Sequence, residues 1–240
     1  MRGNAGQRGS EEQTMHAGDA RAATTPSARD ERLAQAKHAL REQVLAARAA
    51  LSGAARAAAS GVITGLLLGH PRYRAARCVA AYSAFGTEFD TGAFIRSVLG
   101  DGKALLLPRV DRSRRRLELC RVADPDAELR PGVWGILEPD PTRCEPVDAA
   151  SLEFMLVPGV AFTARGERLG YGGGYYDGLI ATLGHGVFKA AGAFSVQVLE
   201  SLPLGPHDQR LDAVLTEAGC YSHADAAPPA ETAGSQKQRP

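Results

Sequence analysis

A short apolar run followed by a glycine-rich loop constrains the fold of this chain more than any other sequence feature. Residues 154–157 are all apolar and end at Pro158-Gly159, which predicts a short buried strand. Five glycines follow, at positions 166, 170, 172, 173 and 174, and the residues from Tyr175 onwards favour a helix. A strand, a glycine-rich loop and a helix in this order are typical of an α/β fold in which main-chain N–H groups and a helix N-terminus bind an anion.

The loop alone leaves two interpretations open. No Lys-Ser or Lys-Thr follows the glycines, as a Walker loop requires, and residues 170–175 lack the last glycine of the dinucleotide-binding fingerprint. A tight turn without any ligand would explain the glycines as well as a phosphate site does. Arg165 and Arg168 before the glycines, and Asp177 at the start of the helix, favour the binding site.

Strand and helix patterns alternate along the 240 residues, and this alternation predicts a fold class. Predicted strands cover residues 77–83, 104–107, 190–195 and 213–215, with an edge strand or hairpin at 117–122, and predicted helices start after Ser27, after Ser52 and at Thr91. The pattern indicates a three-layer α/β/α domain with a mostly parallel, mixed central sheet. We expect this domain at residues 29–221, between a disordered N-terminal extension (1–28) and a disordered C-terminal tail (222–240).

Several polar or glycine residues follow the ends of predicted strands. These residues are Glu88, Arg109, Gly159 and Gln197. In open α/β sheets ligands bind beyond the carboxyl ends of the strands, so we expect the four residues to share one crevice.

The first predicted helix carries two parallel stripes of residues. An apolar stripe, expected to face a core, consists of Leu33, Ala36, Leu40, Val44, Ala47 and Leu51. A basic stripe beside it consists of Lys37, Arg41 and Arg48, and neither Lys37 nor Arg41 has a carboxylate four residues away on the helix. The basic stripe is either a solvated face or a set of cations for the terminal phosphates of a nucleotide, and the helix by itself does not decide between them.

The composition argues against several function classes. A net charge of +1 gives no reason to expect nucleic acid or a membrane surface as a partner. No apolar run has the length of a bilayer span, and the N-terminus lacks the apolar segment of a secretory signal. Four widely spaced cysteines without a CxxC pair argue against zinc and suit reduced thiols, so we expect a cytoplasmic protein.

Two further features have ordinary interpretations. The arginine run Arg112, Arg114, Arg115 and Arg116 has no interleaved aromatic residues, which indicates an exposed hairpin turn rather than a nucleic-acid site. Trp134, in a turn-rich segment, either packs internally or stacks on the flat ring of a ligand.

Taken in order, the motifs resemble those of the 5-formyltetrahydrofolate cyclo-ligases, which are also called 5,10-methenyltetrahydrofolate synthetases. The residues that carry the resemblance are 37–41, 88–91, 107–109, 137–139, 157–177, Gln197, 207–208, Asp212 and 216–217. The resemblance covers roughly residues 33–217. It implies an enzyme that uses ATP and Mg²⁺ to convert 5-formyltetrahydrofolate into 5,10-methenyltetrahydrofolate, ADP and phosphate. In this reaction the γ-phosphoryl group moves to the formyl oxygen, the N10 amine attacks the activated carbon, and phosphate leaves.

The resemblance also implies roles for individual residues. ATP would be bound by Lys37, Arg41, Arg168, Leu169, Gly170, Tyr171, Gly172, Gly173, Gly174, Tyr175 and Tyr176. The folate substrate would be bound by Ser83, Glu88, Trp134, Tyr171, Gly172, Gly173, Gly174 and Tyr175. Lys37, Arg168 and Tyr175 would be catalytic, and Asp177 and Asp208 would ligate Mg²⁺. The expected partners are therefore two small molecules, ATP and 5-formyltetrahydrofolate, bound by a monomer without nucleic acid or membrane.

Two positions depart from the family pattern. Many members carry Arg after the motif aspartate, where this chain has Gly178, and some carry a basic residue in the loop, where it has Tyr171 and Gly173. These departures motivate a second hypothesis, a non-catalytic folate- or nucleotide-binding module on the same fold. A third hypothesis, a sugar-phosphate or acyl-transfer enzyme, depends on the glycine loop alone and gives no role to Lys37 and Arg41.

Overall fold

A computed structural model of the protein describes residues 27–132 and 135–222. The helices within them are α1 (Ala28–Ala50), α2 (Gly53–Gly69), α3 (Pro71–Ala75), α4 (Gly92–Gly100), α5 (Pro125–Glu128) and α6 (Tyr175–Thr182). The strands are β1 (Cys78–Ala80), β2 (Ala104–Asp111), β3 (Arg116–Val122), β4 (Leu129–Pro131), β5 (Leu137–Pro139), β6 (Phe154–Leu156), β7 (Ala161–Thr163), β8 (Arg168–Leu169), β9 (Phe188–Gly192), β10 (Val198–Leu199), β11 (Ala213–Thr216) and β12 (Gly219–Ser222). The predicted extensions lie outside the described residues, apart from Ser27, Ala28 and Ser222, and stay predictions.

The central sheet has seven strands in the order β12-β11-β9-β6-β1-β2-β3. Its inner pairs are parallel, and only the two outermost pairs, β11–β12 and β2–β3, are antiparallel. Val79 in β1, an inner strand, lies opposite Leu105 of β2 on one side and Phe154 of β6 on the other. The sheet is therefore mixed and mostly parallel, as predicted.

Helices cover both faces of this sheet. Successive residues of a strand point to opposite faces, so neighbouring residues of β1 pack against different helices. Val79 belongs to a buried cluster that includes Ile63 of α2 and Phe94 of α4. The next residue, Ala80, belongs to a second cluster that includes Ile180 of α6. The predicted three-layer α/β/α class is confirmed.

The first helix begins as the sequence predicts but presents a different face to the protein. Ser27 caps α1 through a reciprocal capping box with Asp30. Of the apolar stripe only Val44 is fully buried, and Ala36 and Ala47 are exposed. The basic stripe faces inwards instead, which excludes its interpretation as a solvated face.

A small second sheet separates β6 from the glycine loop, where the sequence predicts one continuous loop. It has the order β10-β7-β8, and β7 and β8 form a hairpin that turns at Gly166, with a φ of +76°. A Cβ at Gly166 would lie 2.1 Å from the Leu211 carbonyl oxygen, so this glycine serves the hairpin rather than an anion. Val44 of α1 packs on this small sheet against Val160 and Leu169, which places α1 beside the glycine loop.

The prediction that four residues at strand ends share one crevice is wrong for three of them. β2 continues through Pro108 to Asp111, so Arg109 lies within a strand and donates hydrogen bonds to Cys144 and Glu118. Gln197 is buried and donates to the carbonyl of Gly159. Among the residues that line the cavity with Glu88, Arg109, Gly159 and Gln197 are absent.

In the described part of the chain, no single helix combines the length and the apolar character that a membrane crossing requires. The helices α1 and α2 meet that test only when they are counted together, and they are bent by 101° relative to each other.

Candidate active site

A cavity of about 770 Å³ opens between α1, the ends of β1 and β2, and the segment that leads into α6. It lies within the size range of small-molecule sites, roughly 300–1,000 Å³. Every predicted site residue that the structure describes lines it: Lys37, Arg41, Ser83, Glu88, Asp208 and all of residues 168–177. Trp134, the remaining predicted residue, lies outside the described residues.

Lys37 and Asp208 form an ion pair at one end of the cavity. The Lys37 Nζ atom lies 2.8 Å and 2.6 Å from the two carboxylate oxygens of Asp208. The Gly205 N–H also donates to this carboxylate. The pair is largely shielded, with side-chain exposures of 16% and 21%, so a cation and a carboxylate are held together at the cavity wall.

Arg41 packs directly against the glycine loop. Its Nε atom donates to the Gly170 carbonyl oxygen at 2.7 Å. A Cβ at Gly172 would lie in van der Waals contact with the guanidinium carbon, at 3.4 Å, and it is the φ of +103° that favours glycine at this position. Partial burial lowers the pKa of Arg41, and the nearby Asp208 carboxylate opposes that shift. The first helix and the glycine loop therefore meet on the same side of the molecule.

Arg168 is a buried cation beneath the loop. Its side chain is 2% exposed, and its Nη2 atom lies 2.6 Å from Asp177 Oδ1. Its Nη1 atom donates to the Pro158 carbonyl oxygen at 3.1 Å, while its buried Nε–H has no hydrogen-bond partner among the described residues. A Cβ at Gly170 would lie 2.8 Å from Nη1, so this glycine makes room for the guanidinium. Arg168 thus links the segment that follows β6 to the start of α6.

The N-terminus of α6 faces the same cavity without a side-chain cap. Gly174 occupies the N-cap position with a φ of +70°, and Tyr175 and Tyr176 begin the helix. The first N–H groups of a helix have no partners within the helix, and together with the helix dipole they favour an anion. The loop and helix start therefore present main-chain donors beside Lys37 and Arg41.

Part of the cavity wall is apolar, and sequence reasoning assigned it no role. It consists of Pro108, Val110, Leu117, Ile136 and Leu137, from β2, β3 and the segment into β5. Such a wall suits the flat ring of a ligand whose charged groups lie at the basic end.

Glu88 is the most buried carboxylate that lines the cavity, at 8% exposed. One of its oxygens accepts a hydrogen bond from the Phe85 N–H and the other from the Tyr171 hydroxyl. Burial raises the pKa of Glu88, and the bonds from Tyr171 and Phe85 and the Arg48 charge only partly offset this.

The raised pKa of Glu88 predicts a pH dependence of stability. A carboxyl group whose pKa is higher in the folded state stabilises the fold fully below its ordinary pKa, here 4.5, and this contribution is lost as pH rises through the folded-state pKa. We therefore expect Glu88→Gln to flatten the decline of the unfolding free energy between about pH 4.5 and neutral pH, measured by urea titration. An identical decline in the wild type and in Glu88→Gln would contradict a raised pKa for Glu88.

Asp177 and Asp208 lie at one corner of the cavity. The Gln209 N–H, next to Asp208 in the chain, donates to Asp177 at 3.2 Å. Among residues 27–132 and 135–222, no group of three His, Cys, Asp or Glu side chains could hold a metal ion. Two carboxylates nevertheless fit Mg²⁺, which proteins commonly bind through one or two carboxylates, with substrate phosphates and water as the other ligands.

Gly178 lies on the exposed side of α6, where no atom would lie within 4 Å of an added Cβ. Glycine costs roughly 0.5–1 kcal/mol relative to alanine in a helix. We expect Gly178→Ala to raise the unfolding free energy by about that amount in chemical denaturation. A loss of stability would show that this position has a contact that the helix surface does not reveal.

Comparison with known proteins identifies relatives of this chain. A model of the 5-formyltetrahydrofolate cyclo-ligase family matches residues 33–217. The 5-formyltetrahydrofolate cyclo-ligase of Mus musculus is 28% identical over 190 residues, which cover 76% of this chain and 94% of the relative. The enzyme of the same name from Escherichia coli (strain K12) is 30% identical over 151 residues, which cover 62% of this chain and 83% of the relative.

Solved structures agree with the sequence comparison. The NMR structure of 5,10-methenyltetrahydrofolate synthetase from Aquifex aeolicus matches with a TM-score of 0.71 and 34% sequence identity, over 82% of this chain and 97% of that one. The synthetase from Mycoplasma pneumoniae matches with a TM-score of 0.61 at 22% identity, over 75% of this chain and 98% of that one, and supports the fold alone. The motifs, the matched length and the fold agree, and the chain belongs to the 5-formyltetrahydrofolate cyclo-ligase family.

Proposed function

We propose that this protein is a ligase that converts 5-formyltetrahydrofolate into 5,10-methenyltetrahydrofolate, with conversion of ATP into ADP and phosphate. The observation that carries the proposal is the meeting of Lys37 and Arg41 with the glycine loop and the uncapped start of α6 around one cavity. Phosphoryl transfer is catalysed mainly by positioning and by cations placed around the moving charge. The basic end of the cavity supplies both.

The reaction needs a nucleotide at the basic end and the folate against the rest of the cavity. Lys37, Arg41 and Arg168, with the main-chain donors of residues 169–176, bind the triphosphate and orient its γ-phosphoryl group towards the formyl oxygen. Once phosphorylated, that oxygen is a leaving group, so the N10 amine can attack the formyl carbon and phosphate can depart. Tyr175 lies at the start of α6 and lines the cavity, and we propose that its hydroxyl contacts the transferred group.

The folate would occupy the side of the cavity that Glu88 and Ser83 line. The Glu88 carboxylate can accept hydrogen bonds from the N–H groups of a pterin ring, and the apolar wall from Val110 to Leu137 can cover its flat face. Trp134 remains a proposal for the same substrate, since it lies outside the described residues.

Mg²⁺ is proposed to bind with the nucleotide through Asp177 and Asp208. When bound, the ion would neutralise charge on the phosphate oxygens. The part of this chain in that arrangement is to hold the two carboxylates at the phosphate end, where Arg168 and Lys37 fix their orientation through the ion pairs described above.

A turnover assay tests the proposal. The protein is incubated with MgATP and 5-formyltetrahydrofolate, and the methenyl product is followed by its near-ultraviolet absorbance, with ADP measured in parallel. Product and ADP in equal amounts support the ligase. Ligand-dependent thermal stabilisation without product would instead support a non-catalytic binding module. ADP release that is unaffected by the folate would overturn the proposal.

We further propose that the protein acts as a monomer in the cytoplasm, on these two small molecules and without nucleic acid or membrane. A relative from Arabidopsis thaliana, 25% identical over 207 residues, is named as mitochondrial, so the alternative to the cytoplasm is the mitochondrion. Cell fractionation and light scattering test the two parts of this proposal.

A further inference from the structure

Arg48 is a buried cation on the inner face of α1 that does not line the cavity. It is 3% exposed, and Val44, one turn earlier, is the other buried residue of this helix. Within the described part of the chain, the hydrogen bonds of its guanidinium go to two hydroxyl groups and to no carboxylate. Burying a charge costs several kcal/mol unless it is compensated, so a buried arginine without a carboxylate partner indicates a functional role.

The two hydroxyl groups lead from Arg48 towards the cavity. Its Nε atom donates to Thr87 Oγ1 at 3.0 Å, and its Nη1 atom donates to the Tyr171 hydroxyl at 3.0 Å. The guanidinium carbon also lies 5.9 Å from the centre of the Tyr171 ring. The Tyr171 hydroxyl lies 2.5 Å from Glu88 Oε1.

The chemistry of these groups fixes the direction of each hydrogen bond. A guanidinium only donates, so the Tyr171 oxygen must accept from Arg48. The single hydroxyl proton of Tyr171 is therefore available to Glu88 Oε1, while Oε2 accepts from the Phe85 N–H. Both oxygens of Glu88 act as acceptors, which is the pattern of an ionised carboxylate. Two successive hydrogen bonds, with the Tyr171 hydroxyl between them, thus connect the Arg48 cation to the Glu88 carboxylate.

We propose that Arg48 is a positioning residue which, through the Tyr171 hydroxyl, holds the Glu88 carboxylate ionised and in place on the folate side of the cavity. The inference depends on the proposed function, because it takes Glu88 to bind the folate. It assigns Arg48 to the folate and Lys37 and Arg41 to the nucleotide, although all three lie on α1.

Several other charged or titratable groups surround Glu88, and the proposal must hold in their presence. They are Tyr82 after β1, Tyr176 on α6, and Arg56 and Asp90, which line a small neighbouring cavity with Glu88. Of the coulombic influences on Glu88, that of Arg48 favours the ionised form. The removal of Arg48 should therefore make the carboxylate easier to protonate.

The first test is the pH profile of kcat/KM for 5-formyltetrahydrofolate. We expect Arg48→Met to move the acidic limb upwards by about one pH unit, the low end of the effect of a nearby cation on a carboxyl group. At neutral pH we expect kcat/KM for the folate to fall by about tenfold, with KM for ATP changed less than about twofold. Arg48→Lys, which keeps the charge but not the fork of donors, should restore the acidic limb more than the rate.

Tyr171→Phe provides a second route to the same conclusion if Arg48→Met folds poorly. It removes only the intervening hydroxyl from a ring that is 40% exposed, and we expect a similar shift of the acidic limb. Because the two residues act through one relay, the double variant should lose little more than either single variant. Arg32→Met, an exposed arginine on α1, is the matched control and should leave the profile unchanged.

The result that would overturn the inference is an unchanged acidic limb in both variants, or full additivity in the double variant. A ¹³C NMR titration of the Glu88 carboxyl in the ligand-free protein separates this inference from the proposed function. A shifted titration in Arg48→Met supports the relay even if the turnover assay fails. An unshifted titration removes the relay even if turnover is normal.

Discussion

Arg168→Met is expected to lower the free energy of unfolding by about 3 kcal/mol and to remove most turnover. The guanidinium is buried, so its loss leaves the Pro158 carbonyl oxygen without this donor and the Asp177 carboxylate without its cation. Removal of one partner of a buried ion pair is more costly than the pair is worth, because the remaining charge keeps its desolvation penalty. Urea denaturation measures the first effect, and single-turnover kinetics below the unfolding midpoint measure the second.

Arg165→Met is the matched control for this experiment. Arg165 precedes the same strand, but its side chain is 58% exposed, and its buried partner Glu167 keeps an ion pair with Arg210 and a hydrogen bond from the Thr163 hydroxyl. A change below about 1 kcal/mol is expected there. If both variants lost equal stability, the ion pair between Arg168 and Asp177 would not be what joins β6 to α6.

Lys37→Met is expected to lower kcat/KM for ATP by about 10- to 100-fold, with a smaller loss of stability than Arg168→Met. A hydrogen bond to a charged partner contributes about 1.5–3 kcal/mol, which corresponds to one to two powers of ten in rate. Asp208 is 21% exposed and keeps the Gly205 N–H as a donor, so we expect the unfolding free energy to fall by about 1–2 kcal/mol, less than for the fully buried Arg168. Steady-state kinetics with varied ATP and a urea titration give the two values.

The exposed Arg32 on the same helix again serves as the control, since its substitution with Met changes the charge of α1 equally. Equal losses in the two variants would indicate a general electrostatic effect rather than a phosphate contact. Unchanged kinetics in Lys37→Met would remove Lys37 from the nucleotide site, and the ion pair with Asp208 would then be only structural.

Much of the candidate site could be predicted because its residues lie in short, contiguous motifs. Residues 168–177 form one turn and one helix start, so their order along the chain already places them together. The alternation of strand and helix likewise predicts the layers of the sheet. These are local patterns, and local patterns can be recognised in a single sequence.

The missed features depend on contacts between distant segments. The sequence leaves open whether the stripe that contains Arg48 is solvated, but α1 packs on a small sheet that the sequence did not reveal, and Arg48 is buried there. The strand β2 seemed to end at Pro108. However, β1 pairs with β2 only as far as Leu106, so Pro108 has a single neighbouring strand and is tolerated there.

The placement of three cations on one helix has a mechanical consequence. Lys37 and Arg48 are separated along the axis of α1 by about 16 Å, given the rise of an α-helix. The helix therefore fixes the distance between the part of the site that Lys37 lines and the part that Arg48 supports. An insertion or deletion of one residue after Arg41 would leave Lys37 in register while rotating Arg48 by about 100° around the axis. A length change in this helix should thus impair the binding of the folate and leave the binding of ATP intact, even though every side chain is retained.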